Sequence, residues 1–270
     1  MAAMTDFVFT MTTGRSGTLY VAQLLQRNLP DAECYHEILG WDRFGVDTPD
    51  VSHMTLFNSQ GNVEKVQAFW RSKLTRIAAT PHRFYVETSH MLMKAGLIEN
   101  LAPLTAKGTV HLIALERDPY ATIVSLRNRL DFFNVGNMWL WYLDPAYPKN
   151  LVPSHKLAAS GLNGVCLWYI LEIRARAAYY EKLLAGQNRI VFHHFTFEEL
   201  RAADGAARLL NALGVRSEPS DVTIPKPRNV GETRIKIDAA ERAQIKALIA
   251  SVEAGPDAVG AEALLAHSLG

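Results

Sequence analysis

The sequence predicts an α/β fold in three layers, with a mostly parallel central sheet covered by helices on both faces. Three observations carry this prediction. Short apolar runs of strand length, at 7–11, 83–87 and 110–115, alternate with longer stretches of helical apolar spacing. The runs at 7–11 and 110–115 are nearly continuous in apolar residues, the pattern of strands buried on both faces. Reactive polar residues follow one strand after another, as they do where ligands sit beyond the carboxyl ends of an open α/β sheet.

The elements follow in order. Residues 7–11 form a first strand that stops at Thr12-Thr13-Gly14, and 18–27 carry Leu19, Ala22 and Leu25 at helical spacing before Asn28-Leu29-Pro30. A second strand covers 32–35. A helical stretch with Trp70, Leu74 and Ile77 precedes a third strand at 83–87, and a further helix leads to the strand at 110–115. Residues 120–130 read as a helix. The stretch 131–163 (Trp139, Trp141, Tyr142, Pro145, Tyr147, Pro148, Pro153) is too irregular for one element. A long amphipathic helix at 164–184, a strand at 189–193, a helix, a polar loop at 225–234 and a helical C-terminal region complete the chain. No repeat or low-complexity linker interrupts it. Residues 1–270 therefore read as one domain, with 131–163 a candidate insertion or lid.

Composition narrows the function classes. The 270 residues include 28 Lys and Arg against 27 Asp and Glu, a net charge of +1, so there is no general pull toward nucleic acid or a membrane surface. Any bound anion must be gripped by a local cluster. The two cysteines, Cys34 and Cys166, lie in apolar surroundings and read as reduced thiols rather than a disulfide framework. The N-terminus lacks a basic n-region, and no apolar run is long enough to span a bilayer. These features predict a soluble, cytoplasmic protein.

The strand ends carry the chemistry. Gly14-Arg15-Ser16-Gly17-Thr18 links the first strand to the first helix. Glycines allow the tight path that aims backbone N–H groups at an anion, and the helix start behind adds partial positive charge. Arg15 adds a full charge in a fork that matches oxyanion geometry, and Ser16 and Thr18 add hydroxyl donors. A nucleoside-triphosphate loop needs Lys and then Ser or Thr after the last glycine; here Thr18-Leu19 follow Gly17, which disfavours a kinase or ATPase and a magnesium requirement. A second anchor is Glu116-Arg117-Asp118-Pro119, with Asp118 a good N-cap and Pro119 at the first helical position. Ser125 and Arg129 are four apart on the helix that follows, so they share a face. Two arginines and a serine suit a phosphate monoester. No cluster has metal-ligand spacing.

The two anchors together resemble the P-loop-type sulfotransferases that use 3'-phosphoadenosine 5'-phosphosulfate (PAPS). Arg15-Ser16-Gly17-Thr18 is similar to their 5'-phosphosulfate loop in the arginine form of Golgi-type and many bacterial members. Arg117, with Ser125 eight on and Arg129 twelve on, has the spacing with which tyrosylprotein-type members hold the 3'-phosphate. Lys226-Pro227-Arg228-Asn229-Val230-Gly231 is similar to their nucleotide-covering loop, with Arg234 or Lys236 as the later basic residue.

The resemblance implies a single-domain sulfotransferase with PAPS as donor, adenosine 3',5'-bisphosphate (PAP) as product and no metal. The acceptor would be a hydroxyl of a small molecule, carbohydrate or peptide, with 131–163 as the candidate acceptor-binding segment. It implies Glu37 as the base, with His36 beside it as the alternative, and Arg15 as the main cation on the leaving group. In Val86-Glu87-Thr88-Ser89-His90 the lysine that often follows the third strand is missing, so Thr88 or Ser89 would donate neutral hydrogen bonds there. Two other functions remain open: a nucleotide-dependent phosphotransferase, and a PAP-binding protein without catalysis.

Overall fold

The computed structural model describes residues 4–36, 51–132, 142–226 and 236–254. Along the chain run β1 (Thr5–Met11), α1 (Thr18–Asn28), β2 (Ala32–His36), α2 (Val51–Gln60), α3 (Glu64–Ile77) and β3 (Phe84–Thr88). Two 3-10 turns (Met93–Ala95, Ile98–Asn100), α4 (Ala102–Thr105), β4 (Gly108–Glu116), α5 (Pro119–Asn128), α6 (His155–Ala158) and α7 (Gly161–Leu183) follow. The chain continues with β5 (Ile190–Thr196), α8 (Phe197–Leu200), α9 (Ala203–Ala212), a 3-10 turn (Pro219–Asp221) and α10 (Ala239–Glu253). These elements belong to two compact units: Met1–Arg117 with Leu184–Arg228, and Asp118–Leu183 with Asn229–Gly270.

The first unit holds the sheet. Its five described strands are all parallel, in the order β2-β3-β1-β4-β5. Successive side chains alternate between the faces. Val8, Phe84, Val86, Ile113, Leu115 and Phe195 face α1 and α9, where Val21, Leu24, Leu25, Leu209, Leu210 and Leu213 close an apolar core. On the other face, Glu87 receives Lys73 of α3 at 3.1 and 2.9 Å and the Tyr85 hydroxyl at 2.8 Å, with Lys73 fully buried. A carboxylate inside a sheet needs such partners, because an unpaired buried charge is strongly destabilising. The α/β class and the parallel sheet flanked by helices are as the sequence predicts.

The register brings the carboxyl ends level: His36 pairs with Thr88, Met11 with Ala114, and Glu116 with Thr196. One edge of the sheet therefore collects Thr12–Gly17, His36, Ser89–His90, Arg117 and Phe197.

Two departures from the sequence-based bounds matter most for the site. β5 runs on to Thr196 because β4 continues to Glu116 and keeps offering ladder partners. Thr196 ends it by starting α8 in a reciprocal capping box with Glu199, whose carboxyl the Thr196 backbone N–H and hydroxyl pull below the usual carboxylate range. His193 and His194 therefore sit inside the strand, not at its end. His193 meets His111 of β4 at 2.9 Å between ring nitrogens, and His111 lies 3.5 Å from Asp6. α5 stops at Asn128, two residues short of the expected end. Leu130 takes the left-handed conformation (φ 63°), while Leu130 N–H donates to Arg127 O and Asp131 N–H to Leu126 O. That is a Schellman closure with leucine where glycine is usual, so no sequence signal announces it.

In the second unit, α7 packs with α5 and α10 and carries the stretch 142–154 on its side. Glu172 accepts the N–H groups of Leu151 (2.9 Å) and Val152 (2.7 Å), Trp168 Nε1 donates to Val152 O at 2.8 Å, and Arg176 Nε holds Glu172 at 2.6 Å. Tyr142 belongs to a buried ring cluster with Phe132 and Tyr169. Trp139 and Trp141 lie outside the described residues.

Candidate active site

The turn after β1 has the backbone of an anion cradle. Gly14 (φ 76°), Arg15 (φ 56°) and Gly17 (φ 89°) are all left-handed, the region glycine enters without penalty and L-residues avoid. A non-glycine residue at such an angle beside a helix start is a mark of functional strain. Gly17 is the N-cap of α1 and offers no side chain to cap it, so first-turn N–H groups keep their donors for an anion. Phe197 walls the turn: a Cβ on Gly17 would lie 2.2 Å from its ring.

Hydroxyls brace this turn. Thr12 Oγ1 donates to Leu115 O at 2.8 Å and is hydrogen-bonded to the Ser16 hydroxyl, with both residues buried. Ser16 thus holds the loop's shape through Thr12, a residue the sequence did not single out. Thr18 is also buried, and its carbonyl accepts the Thr88 hydroxyl at 3.0 Å.

Arg117 reaches the loop from the end of β4. Its Nη1 donates to Arg15 O at 2.8 Å, its guanidinium carbon lies 5.5 Å from the Phe197 ring centre, and its buried Nε has no hydrogen-bond partner among the described residues. Arg201 stacks on the same ring at 5.9 Å, and Tyr20 meets it edge-on at 5.6 Å. Partial burial pushes the Tyr20 hydroxyl's pKa up, against the pull of Arg201. A buried guanidinium N–H without an acceptor, beside a left-handed glycine turn, is what a site built for an oxyanion needs.

At the ends of β2 and β3, His36 Nδ1 lies 2.8 Å from Thr88 O. A carbonyl only accepts, so Nδ1 carries a proton, and in the neutral form of the ring the lone pair is on Nε2. Glu37 lies outside the described residues. His90 packs against Gly14, where a Cβ would sit 3.1 Å from its ring, and Nζ of the wholly buried Lys94 lies 2.8 Å from its Nδ1. Lys94 has no sequence signal, since it sits in an unremarkable run after β3.

In the second unit, Asp118 caps α5 by accepting Ala121 N–H at 2.7 Å, as its place before Pro119 predicts. Ser125 lies in α5. Arg129 is the residue that ends α5, and its Nε is 3.6 Å from Asp131. Arg127 points elsewhere, to Glu241 of α10 at 2.6 Å. Lys226 and Lys236 are exposed, whereas Arg228 and Arg234 lie outside the described residues. Burial raises both cysteine thiols to about 12, so neither is a ready nucleophile. Among the described residues, no His, Cys, Asp and Glu group is arranged to hold a metal, and no helix is long and apolar enough to cross a membrane.

No protein-family model and no curated protein matches the sequence. Among solved structures, the chain is similar to a sulfotransferase from Alicyclobacillus acidocaldarius (15% identity, 98% of this chain and 96% of that one, TM-score 0.49). It is also similar to the sulfotransferase domain of a Synechococcus olefin synthase (14%, 93% and 96%, TM-score 0.44). A third is a mouse sulfotransferase complexed with PAP (12%, 96% and 88%, TM-score 0.44). None of these likenesses assigns an activity to this chain.

Proposed function

We propose that residues 1–270 form a sulfotransferase-like domain that binds PAPS and transfers its sulfuryl group to an acceptor hydroxyl. The observation that carries this reading is the left-handed turn at Gly14, Arg15 and Gly17, set at a helix start without a side-chain cap and tied to Arg117, whose buried Nε has no acceptor among the described residues. Bound PAPS supplies the activated sulfuryl group. The loop N–H groups, Thr18 and Arg15 hold the phosphosulfate, and Ser16 supports them through Thr12. Arg15 also meets charge that grows on the leaving phosphate, where fixed donors contribute most.

By resemblance to the sulfotransferases that use PAPS, Arg117, Ser125 and Arg129 hold the 3'-phosphate, and Lys226, Arg228 and Arg234 cover the nucleotide. Glu37 takes the acceptor's proton. His36 is the second candidate, with its Nδ1–H donating to Thr88 O at the end of β3. The acceptor, a small-molecule, carbohydrate or peptide hydroxyl, meets residues of 131–163.

The test is transfer of labelled sulfur from PAPS across a panel of hydroxyl acceptors. Label moving to one acceptor class with release of PAP is the expected result. Tight PAP binding with no transfer to any acceptor would leave a binding protein. Turnover of ATP with magnesium in place of PAPS would make the chain a phosphotransferase.

A further inference from the structure

The end of β3 holds a pair of side chains that the nucleotide contacts do not use. Lys94 lies in the 3-10 turn Met93–Ala95 with 0% exposure, and its Nζ is 2.8 Å from His90 Nδ1. Burying an ammonium costs several kcal/mol unless it is well partnered, and His90 Nδ1 is one of the partners that hold Lys94 there. The surroundings fix both residues. Asn58 Nδ2 donates to Lys94 O at 2.8 Å, Ser89 Oγ accepts Met91 N–H at 3.1 Å, and Ser89 O accepts the Thr10 hydroxyl at 3.4 Å.

The direction of the Lys94–His90 bond decides what His90 can do. An ammonium has three N–H donors and no lone pair, so Nδ1 accepts and the neutral ring carries its proton on Nε2. The ring carbon next to Nε2 is Cδ2, which lies 3.2 Å from the Cβ position of Gly14 in the anion turn. His36 shows the reverse arrangement, with Nδ1–H donating to Thr88 O. Two histidines at one sheet edge are thus held in opposite tautomers, one an acceptor and one a donor.

We propose that His90 donates Nε2–H to an oxyanion held in the 12–17 turn, with Lys94 as the positioning residue that fixes its tautomer and lends it charge. The pair fills the place of the lysine that is missing directly after β3. No proton is transferred; the hydrogen bond strengthens as negative charge grows on the oxygen it meets. This rests on reading the turn as a phosphosulfate site, and it leaves Glu37 and His36 as the candidates for general base.

The test is imidazole nitrogen-15 NMR of the full chain at one neutral pH, paired with calorimetry of PAP binding. The expected wild-type spectrum shows His90 as the Nε2–H tautomer, with Nε2 shifting when PAP and inorganic sulfate are added together. Lys94→Arg should keep that tautomer, since guanidinium is also a pure donor, and Lys94→Met should lose it. In turnover, His90→Gln should lower kcat about 10²-fold, as loss of one oxyanion donor does, with KM for PAPS nearly unchanged. An Nδ1–H tautomer for His90 in the wild-type spectrum overturns the proposal, whether or not Lys94→Met folds. PAP binding with no change at His90 overturns the oxyanion contact alone. Absence of PAP binding overturns the phosphosulfate reading together with it.

Discussion

Arg117, the residue after β4, donates from Nη1 to the carbonyl oxygen of Arg15 at 2.8 Å and so ties one strand end to the turn after its neighbour. The bond stiffens the left-handed turn and holds a guanidinium at its rim. Arg117→Met removes both effects. PAP affinity should then fall about 10- to 100-fold, the worth of a charged hydrogen bond at about 1.5–3 kcal/mol. Arg117→Lys should recover only part of it, because an ammonium lacks the planar fork. Calorimetry checks both, and unchanged PAP affinity in Arg117→Met would remove this residue from the site.

Gly17 is constrained twice, by φ 89° and by the Phe197 ring 2.2 Å from where a Cβ would stand. Gly17→Ala should destabilise the fold by about 1–2 kcal/mol from the backbone angle alone, with the ring clash added. Phe197→Ala combined with it should relieve the clash and leave the backbone cost. Denaturant titration of the two variants separates these contributions; equal stability of Gly17→Ala and wild type would contradict the geometry.

Much of the fold is legible in the sequence because parallel strands buried on both faces announce themselves as apolar runs. β1, β3 and β4 follow from such runs, and the phosphate turn from its glycines and arginine. What escapes depends on partners distant in sequence. The last residues of β5 are strand only because β4 extends beside them, which moves His193 and His194 off the edge and brings Phe197 to it. Lys94 reaches the loop through His90, a relation that no spacing rule encodes. Glu87 reads as an edge residue, yet its side chain turns away from α1 to Lys73 and Tyr85.

That buried pair gives a stability prediction. Glu87→Gln leaves the Lys73 ammonium buried without its counter-charge and should cost about 3–5 kcal/mol. Replacing both, as Lys73→Met with Glu87→Leu, should cost much less, because no uncompensated charge remains. Thermal denaturation of the single and double variants decides it, and equal losses would show that the pair is not coupled.

His193 sets an acid limit to stability. Burial first, then the neighbouring His111 and His194, lower its pKa to about 4 from the usual 6.5. Below about pH 6.5 the unfolded chain takes up a proton that the folded state refuses. The contribution of neutral His193 is therefore full above that pH and is lost as pH falls toward 4. Denaturant unfolding between pH 7 and 4.5 should show a shallower acid slope for His193→Gln than for wild type, and identical slopes would contradict the assignment.

Glu37 and His36 are separated by kinetics. Glu37→Gln should lower turnover about 10²- to 10⁴-fold, the range for loss of a general base, with PAP affinity nearly unchanged. His36→Asn should do less. A fully active Glu37→Gln alongside an almost inactive His36→Asn would give the proton to His36 Nε2.

The turn at 12–17 and Arg117 are proposed as part of a site for an adenosine nucleotide bearing phosphates at both the 3' and 5' positions. Calorimetry of one protein preparation with PAP, adenosine 5'-monophosphate, and ATP with magnesium tests it most directly. PAP should bind much more tightly than the monophosphate, and Arg117→Met should shrink that preference. Equal affinity for PAP and the monophosphate, or binding of ATP with magnesium in place of PAP, would contradict it.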